Sequence, residues 1–242
     1  MRKVPFVLRA TGWVVAILVW AVAPVYAADE AKTAEVLVKV LKAGRVVVAE
    51  HQELINDASK GDKGFTPAYF EGKWADKFKE MTKNDLKQAA SGTPAIATLI
   101  EIGKETVAEA QPIINKQGMG FKGFLPALWG RKTGDKFSQK TGIRLKQTAE
   151  QYRFAGNKPD DYEAGVLKQF AEPAYPKGKE IVKTVSMEGK NVVRYMSPEY
   201  AGAACLKCHG EPKGEKDITG WKKEGYKEGD LAGAISVIVP VK

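Results

Sequence analysis

Cysteine and histidine are scarce in this chain: 242 residues hold two of each. Two cysteines cannot build a disulfide scaffold, nor a four-cysteine zinc or iron–sulfur site. Two histidines cannot build a three-histidine metal centre. Long apolar runs are scarce too, and the one that stands out lies at the N-terminus. Acidic residues are outnumbered, 29 Asp and Glu against 38 Lys and Arg. The formal charge of +9 favours acidic partners. What is present is a globular composition, 44% hydrophobic and 28% charged. The length suits one domain or two small ones with a real core.

The N-terminus has the three parts of an export signal. Arg2, Lys3 and Arg9 form a basic region, Ala10 to Ala23 is an apolar run, and Val25-Tyr26-Ala27 precedes a polar start at Ala28-Asp29-Glu30. The apolar run is short for a membrane span. Residues 1–27 are therefore expected to be a signal peptide, with an uncleaved anchor as the alternative. Cleavage removes three basic residues and lowers the formal charge from +9 to +6. The mature protein is expected outside the cytoplasm, in the periplasm, with no stable membrane span.

The chain contains a duplication. Shifted by 59 residues it matches itself without a gap, and 20 of 41 positions from Val48 to Gln88 are identical to Val107 to Gln147. Chance at average composition gives roughly 2–3. Lys63-Gly64-Phe65-Thr66-Pro67-Ala68 faces Lys122-Gly123-Phe124-Leu125-Pro126-Ala127, and Leu86-Lys87-Gln88 faces Leu145-Lys146-Gln147. The copies span about residues 34–88 and 93–147. They are a helical unit copied for packing or a pair of related half-sites.

Each copy opens with an amphipathic helix. Leu37, Leu41, Gly44, Val48, His51 and Ile55 share one face in the first, and Ile96, Ile100, Gly103, Val107, Ala110 and Ile114 do so in the second. Asn56 and Asn115 are expected as left-handed helix caps. The Lys-Gly-Phe-x-Pro segments read as turns. Beyond Gly142 the texture changes. Ile143 to Thr148 alternates like a half-buried strand, and Tyr162 to Phe170 reads as a short helix after a turn at residues 157–161. Glu180 to Ser186 and Asn191 to Met196 form an expected hairpin, residues 210–230 a loop, and Ala232 to Val239 a central strand. Helices first and an antiparallel sheet later is an α+β order.

Chemistry concentrates in Cys205-Leu206-Lys207-Cys208-His209, the C-x-x-C-H pattern of c-type haem attachment. Two thiols at this spacing can each add to one vinyl group on the same porphyrin edge, and the adjacent imidazole can ligate the iron. An exported protein with two cysteines and no disulfide fits this use. The rival readings are a redox dithiol, which does not need His209, and half of a zinc site, which lacks further ligands. Lys207, Lys213 and Lys216 crowd the motif; they are a solvated face, a counter-charge for haem propionates, or a dock for an acidic partner. His209 is the expected fifth iron ligand. For the sixth position, His51 competes with Met119, Met196 and an open site. His51 alone is a polar residue on its apolar stripe, and packing is its bland role. Sulfur and imidazole together raise a haem's potential and suit electron transfer, whereas an open site suits ligand sensing.

The stretch from Gly142 onward resembles the PAS-like, single-haem c-type domain of bacterial periplasmic sensor regions, found in histidine kinases and chemoreceptors. The matching residues are Tyr152-Arg153, Asn157-Lys158-Pro159-Asp160 with Glu163, Leu167 to Phe170, Cys205 to Gly210, and Gly233 to Val237. The family pattern commonly places Asn-Pro directly after the Arg, where this chain has Phe154-Ala155. The resemblance implies an antiparallel sheet flanked by an N-terminal helix, with haem held by the late loop.

The expectation is thus a signal peptide (1–27), a duplicated helical region (28–141) and a PAS-like haem domain (142–242), holding one haem c through Cys205, Cys208 and His209. His51 is the distal candidate. The expected function is redox or small-ligand sensing or binding, with electron transfer as the alternative and a haem enzyme as a lesser one; no catalytic residue is assigned. No output module follows Pro240 in the sequence, so a sensor would signal through another protein. An acidic redox partner or a membrane-bound signalling protein fits; nucleic acid does not.

Overall fold

The computed structural model describes residues 23–241. The expected signal peptide lies outside the described residues except for its last five, whose backbone opens the first helix. Six helices come first: α1 (Ala23–Glu50), α2 (Gln52–Ile55), α3 (Pro67–Thr82), α4 (Leu86–Gly92), α5 (Pro94–Ile114) and α6 (Pro126–Thr141). Then follow β1 (Arg144–Thr148), α7 (Asp161–Ala171), β2 (Ile181–Met187), β3 (Lys190–Tyr200), α8 (Leu206–His209) and β4 (Leu231–Pro240). This is the α+β order expected. Among the described residues no helix is long and apolar enough to cross a membrane.

The first amphipathic stripe does not run unbroken to Ile55. His51 adopts φ −102° and ψ 13° between α1 and α2. Its ring Nδ1 lies 2.7 Å from the Val47 carbonyl, the acceptor its own backbone N–H uses at 3.2 Å. Side-chain competition for a helical carbonyl loosens the helix at that turn. The second copy has Ala110 there, and α5 continues to Ile114.

The duplication is visible as reciprocal exchange. α3 and α6 begin at equivalent prolines, whose fixed φ suits a first helical position. Asn56 and Asn115 are not left-handed caps: their φ values are −93° and −86°. Their side chains bond across to the other copy instead. Asn56 Oδ1 accepts from the Lys122 backbone N–H at 2.8 Å, and Asn115 Oδ1 accepts from that of Lys63 at 3.0 Å. Gln52 donates to the Phe124 carbonyl and Gln111 to that of Phe65, both at 2.9 Å. Each copy thus satisfies loop groups that the other leaves open, which favours the packing reading of the duplication.

The helical core closes around Phe70, Trp74 and Trp129, whose neighbouring ring centroids are 5.2–5.3 Å apart. Gly44 of α1 lies under the Trp129 ring, and Gly103 of α5 lies under Trp74 and Trp129. Both indoles donate to backbone, Trp74 to the Val40 carbonyl and Trp129 to that of Gly103. Large aromatics buried with their polar tip satisfied are strong core anchors.

The sheet has strand order β1-β4-β3-β2, all neighbours antiparallel. β2 and β3 join through Glu188 and Gly189, both at positive φ, as a two-residue hairpin turn requires. One sheet face carries Val193, Tyr195, Ile235, Val237 and Val239 into the same apolar cluster as the helices. The other carries Ile181, Met196 and Ala234 against Val166, Leu167 and Phe170 of α7. β3 and β4 are covered on both faces; β4 reads as a nearly continuous apolar run, whereas β3 buries Arg194 and Ser197 among its apolar residues. α1 is also bolted to the sheet by charge. Lys42 Nζ donates to Ser197 Oγ at 2.9 Å and to the Pro198 carbonyl at 3.0 Å. Glu199 takes Lys42 on one oxygen and Arg45 on the other.

Candidate functional site

The Cys-x-x-Cys-His segment follows the end of β3. After Tyr200 the chain makes a 3-10 turn (Ala203–Cys205) and then the single turn of α8, which ends at His209. Cys205 is exposed and Cys208 half-buried, both as free thiols. Burial pushes the Cys208 thiol above its ordinary pKa, and the adjacent Asp217 carboxylate adds to the effect. Among the described residues no group of three or more His, Cys, Asp and Glu gathers as a metal cage, so half of a zinc site finds no other half.

His209 is the most constrained member. Its Nδ1 lies 2.7 Å from Glu224 Oε2. An ionised carboxylate only accepts, so Nδ1 carries a proton in this contact, and in the neutral imidazole Nε2 is the nitrogen with a lone pair to give. Tyr226 stacks on the imidazole, with centroids 6.2 Å apart and planes 24° from parallel. The His209 carbonyl accepts from the Gly225 and Tyr226 backbones at 3.0 and 2.8 Å. The loop therefore grips both the ring and the backbone of the residue that closes the motif.

Arg153 organises this loop. Its Nε donates to Glu224 Oε1 at 2.6 Å and its Nη2 to Oε2 at 2.8 Å, a fork on one carboxylate. Its Nη1 donates to Asp217 at 2.7 Å, and Nη2 also reaches the Cys208 carbonyl at 2.7 Å. Asp217 is fully buried. Burial would raise its carboxyl, but hydrogen bonds from Thr219 and Arg153 outweigh it and hold the pKa at about 2. Burial also opposes ionisation of Glu224, and Arg153 and His209 together hold that carboxyl below the ordinary range.

Arg153 is itself placed by the residues that follow it. Asp160 and Glu163 form the capping box that starts α7, bonding each other's backbone N–H at 2.8 and 2.9 Å. Glu163 is fully buried and meets Lys146 of β1 at 2.8 Å, while Asp160 meets Arg194 of β3 at 2.6 Å. Thr148 donates to the Asn157 carbonyl at 3.1 Å. The segment from β1 to α7, which carries Arg153, is thus pinned at both ends. Beside it opens a cleft of about 550 Å³ lined by Tyr152, Arg153, Lys213, Lys216, Trp221 and Glu224. Tyr152 and Trp221 of this lining are exposed large side chains.

His51 belongs to different surroundings. Its Nε2 lies 3.1 Å from Tyr69 Oη, its Nδ1 meets Val47, and its ring packs on Phe65. None of these partners is a residue of the attachment loop. Met196 is fully buried in the sheet core against α7. Met119 sits in the loop of the second copy, where its carbonyl accepts from Lys122. Sequence reading missed Glu224 and Asp217. Their signal was there: two carboxylates inside a lysine-rich loop, downstream of the histidine.

A family model described as Tll0287-like matches residues 26–240. The chain belongs to the Tll0287-like family. A solved structure, that of the cyanobacterial heme-protein Tll0287, is similar to it at 19% sequence identity, over 65% of this chain and 97% of the other, with a TM-score of 0.41. No curated protein matches. The family match spans both the duplicated helices and the sheet with its Cys-x-x-Cys-His loop.

Proposed function

We propose that this member of the Tll0287-like family binds one covalent haem c, through Cys205, Cys208 and the His209 imidazole, and acts as a redox or small-ligand sensing or binding module. The observation that carries the proposal is the state of His209. Its Nδ1 is committed to Glu224, which makes Nε2 the ligating nitrogen of the neutral ring, and it directly follows a pair of free cysteines at attachment spacing. That donor set fits haem; the cleft adjoins it through Arg153 and Glu224, although Cys205, Cys208 and His209 do not line it. The described heme-protein relative is consistent with this reading. When bound, the haem supplies an iron that changes oxidation state and can take a small ligand. The chain's part is to tether the porphyrin edge, present one imidazole at a fixed angle and surround the site with cationic side chains.

Sensing is preferred over electron transfer because two candidates for the sixth position, His51 and Met196, are engaged elsewhere, which leaves Met119 as the competing sulfur. Both ring nitrogens of His51 have partners, and Met196 is locked in the core. This supports an open or weakly held distal side. Electron transfer is favoured by the lysines about the cleft, Lys213, Lys216, Lys222 and Lys223. They suit an acidic redox partner or signalling protein. The proposal assigns no catalytic residue. Residues 1–27 would direct export to the periplasm, where haem is attached, or stay as an anchor.

The test is expression alongside a c-type maturation system. A c-type spectrum in alkaline pyridine, haem retained on a denaturing gel, and loss of that haem in the Cys205→Ala, Cys208→Ala double variant are expected. Absence of covalent haem in the wild type would refute the proposal. Addition of CO or NO to the reduced protein separates the readings: a changed spectrum supports sensing, and an unchanged spectrum with salt-sensitive electron exchange supports a carrier.

A further inference from the structure

We propose that Glu224 and Arg153 form an opposed pair that sets the reduction potential of the iron held by His209, an inference that rests on the haem reading above. Glu224 is a positioning residue in this pair, because it acts through His209 and not on the iron itself. Its carboxylate, almost fully buried, accepts from His209 Nδ1 at 2.7 Å. Such an acceptor draws the ring proton toward itself and shifts electron density to Nε2. A more electron-rich imidazole stabilises ferric over ferrous iron and lowers the potential.

Arg153 works against it. The same Glu224 Oε2 that serves His209 also accepts from Arg153 Nη2 at 2.8 Å, and Oε1 accepts from Nε at 2.6 Å. A bidentate guanidinium takes charge from both oxygens and weakens the carboxylate as an acceptor for the imidazole. The potential therefore depends on how one carboxylate is shared between a ring and a fork. The geometry makes that sharing stable. Asp217 and the Cys208 carbonyl hold the other edge of the guanidinium at 2.7 Å each. Tyr226 lies alongside the imidazole with its plane 24° from parallel, on the ring that donates to Glu224. Lysine at position 153 would keep a positive charge but not the fork.

The prediction is a pair of shifts with opposite sign. Glu224→Gln keeps the size and an acceptor oxygen but removes the charge. It is expected to raise the reduction potential and lower the iron–histidine stretching frequency of the reduced haem protein. Arg153→Lys is expected to lower the potential, since Glu224 is released toward His209. Both are read by spectroelectrochemistry and resonance Raman spectroscopy on purified holoprotein, with haem content checked in alkaline pyridine. A Glu224→Gln protein with normal haem content and unaltered potential and stretching band would overturn the inference. So would two variants that shift in the same direction, the result expected if both merely loosened the loop. A wild type without covalent haem is a different failure, and it removes the function proposal itself.

Discussion

Gly103→Ala should destabilise the protein, although alanine is the better helix former. A Cβ built on Gly103 would lie 2.6 Å from both Cη2 and Cζ3 of Trp74 and 3.0 Å from Cζ2 of Trp129. Ordinary contact is about 3.5–4.0 Å, so a ring must retreat by roughly 1 Å. Neither ring can do so freely. Trp74 is fully buried between Phe70 and Trp129, and its Nε1 is held 2.8 Å from the Val40 carbonyl. Trp129 donates to the carbonyl of Gly103 itself at 3.1 Å. Overpacking of this kind costs about 1–3 kcal/mol. Removing a helical glycine recovers up to about 1 kcal/mol. The net is a loss of up to about 2 kcal/mol at full recovery, or a melting point lower by up to roughly 8 °C for a chain of this size. Gly72 provides the control. It is exposed within α3 with nothing within 4 Å of its built Cβ, so Gly72→Ala should stabilise by about 0.5–1 kcal/mol. Thermal unfolding of both variants followed by helical circular dichroism compares the same chemical change at two sites. If Gly103→Ala melts at or above Gly72→Ala, the argument that the indoles need a bare backbone is refuted.

Further outcomes follow from the sheet and its attachments. Gly134→Ala would place a Cβ 2.5 Å from the Leu145 carbonyl oxygen, so urea unfolding should show a loss of about 1–3 kcal/mol as α6 is pushed off β1. Glu163→Ala leaves Lys146 and Arg194 without their buried carboxylate and removes half of the capping box; a loss of about 3–5 kcal/mol is expected, against a near-wild-type midpoint if the pair is idle. Burial opposes ionisation of Glu199, but Arg45 and Lys42 outweigh it and depress its pKa in the fold. Its contribution is therefore fully present above the ordinary carboxylate range and is lost as pH falls through the depressed value. Melting curves across this acid range should be flatter for Glu199→Gln than for wild type, and parallel curves would show that Glu199 does not couple α1 to β3.

The sequence was most informative where one feature alone dictates structure. Alternation marked β1, an apolar run marked β4, the break between Ser186 and Asn191 marked the β2–β3 hairpin, and a turn at residues 157–161 marked the start of α7. The duplication was legible as identity, but not what the identity is for. Asn56 and Asn115 look like local caps, and only the folded chain brings each to the other copy's loop. The same limit hid Glu224 and Asp217. A carboxylate in a charged loop looks like solvated surface until Arg153, more than sixty residues upstream, is folded against it.

Leu-Lys-Gln shows how far context overrides a local pattern. Leu86-Lys87-Gln88 opens α4, whereas the identical Leu145-Lys146-Gln147 lies in β1. Both are preceded by a left-handed residue that ends the helix before, Lys83 at φ 62° and Gly142 at φ 73°. The difference lies in what stands beside them. In the first copy Asp85 accepts from the Gln88 N–H at 2.9 Å and starts a new helix, which Ala89 and Ala90 continue. In the second, Arg144 occupies that position and offers no such acceptor. The partner helix differs too. Gly134 of α6 lets the Leu145 carbonyl approach where the first copy's equivalent, Ala75, carries a methyl group. Leu145 can then pair with Val237, and the strand joins the sheet. Between the copies, Asp85 gives way to Arg144 and Ala75 to Gly134, so a helix cap is lost where room for a strand is gained. That edge strand carries Thr148 and Lys146, which anchor the segment holding Arg153. The divergence that broke the repeat also built the support for His209.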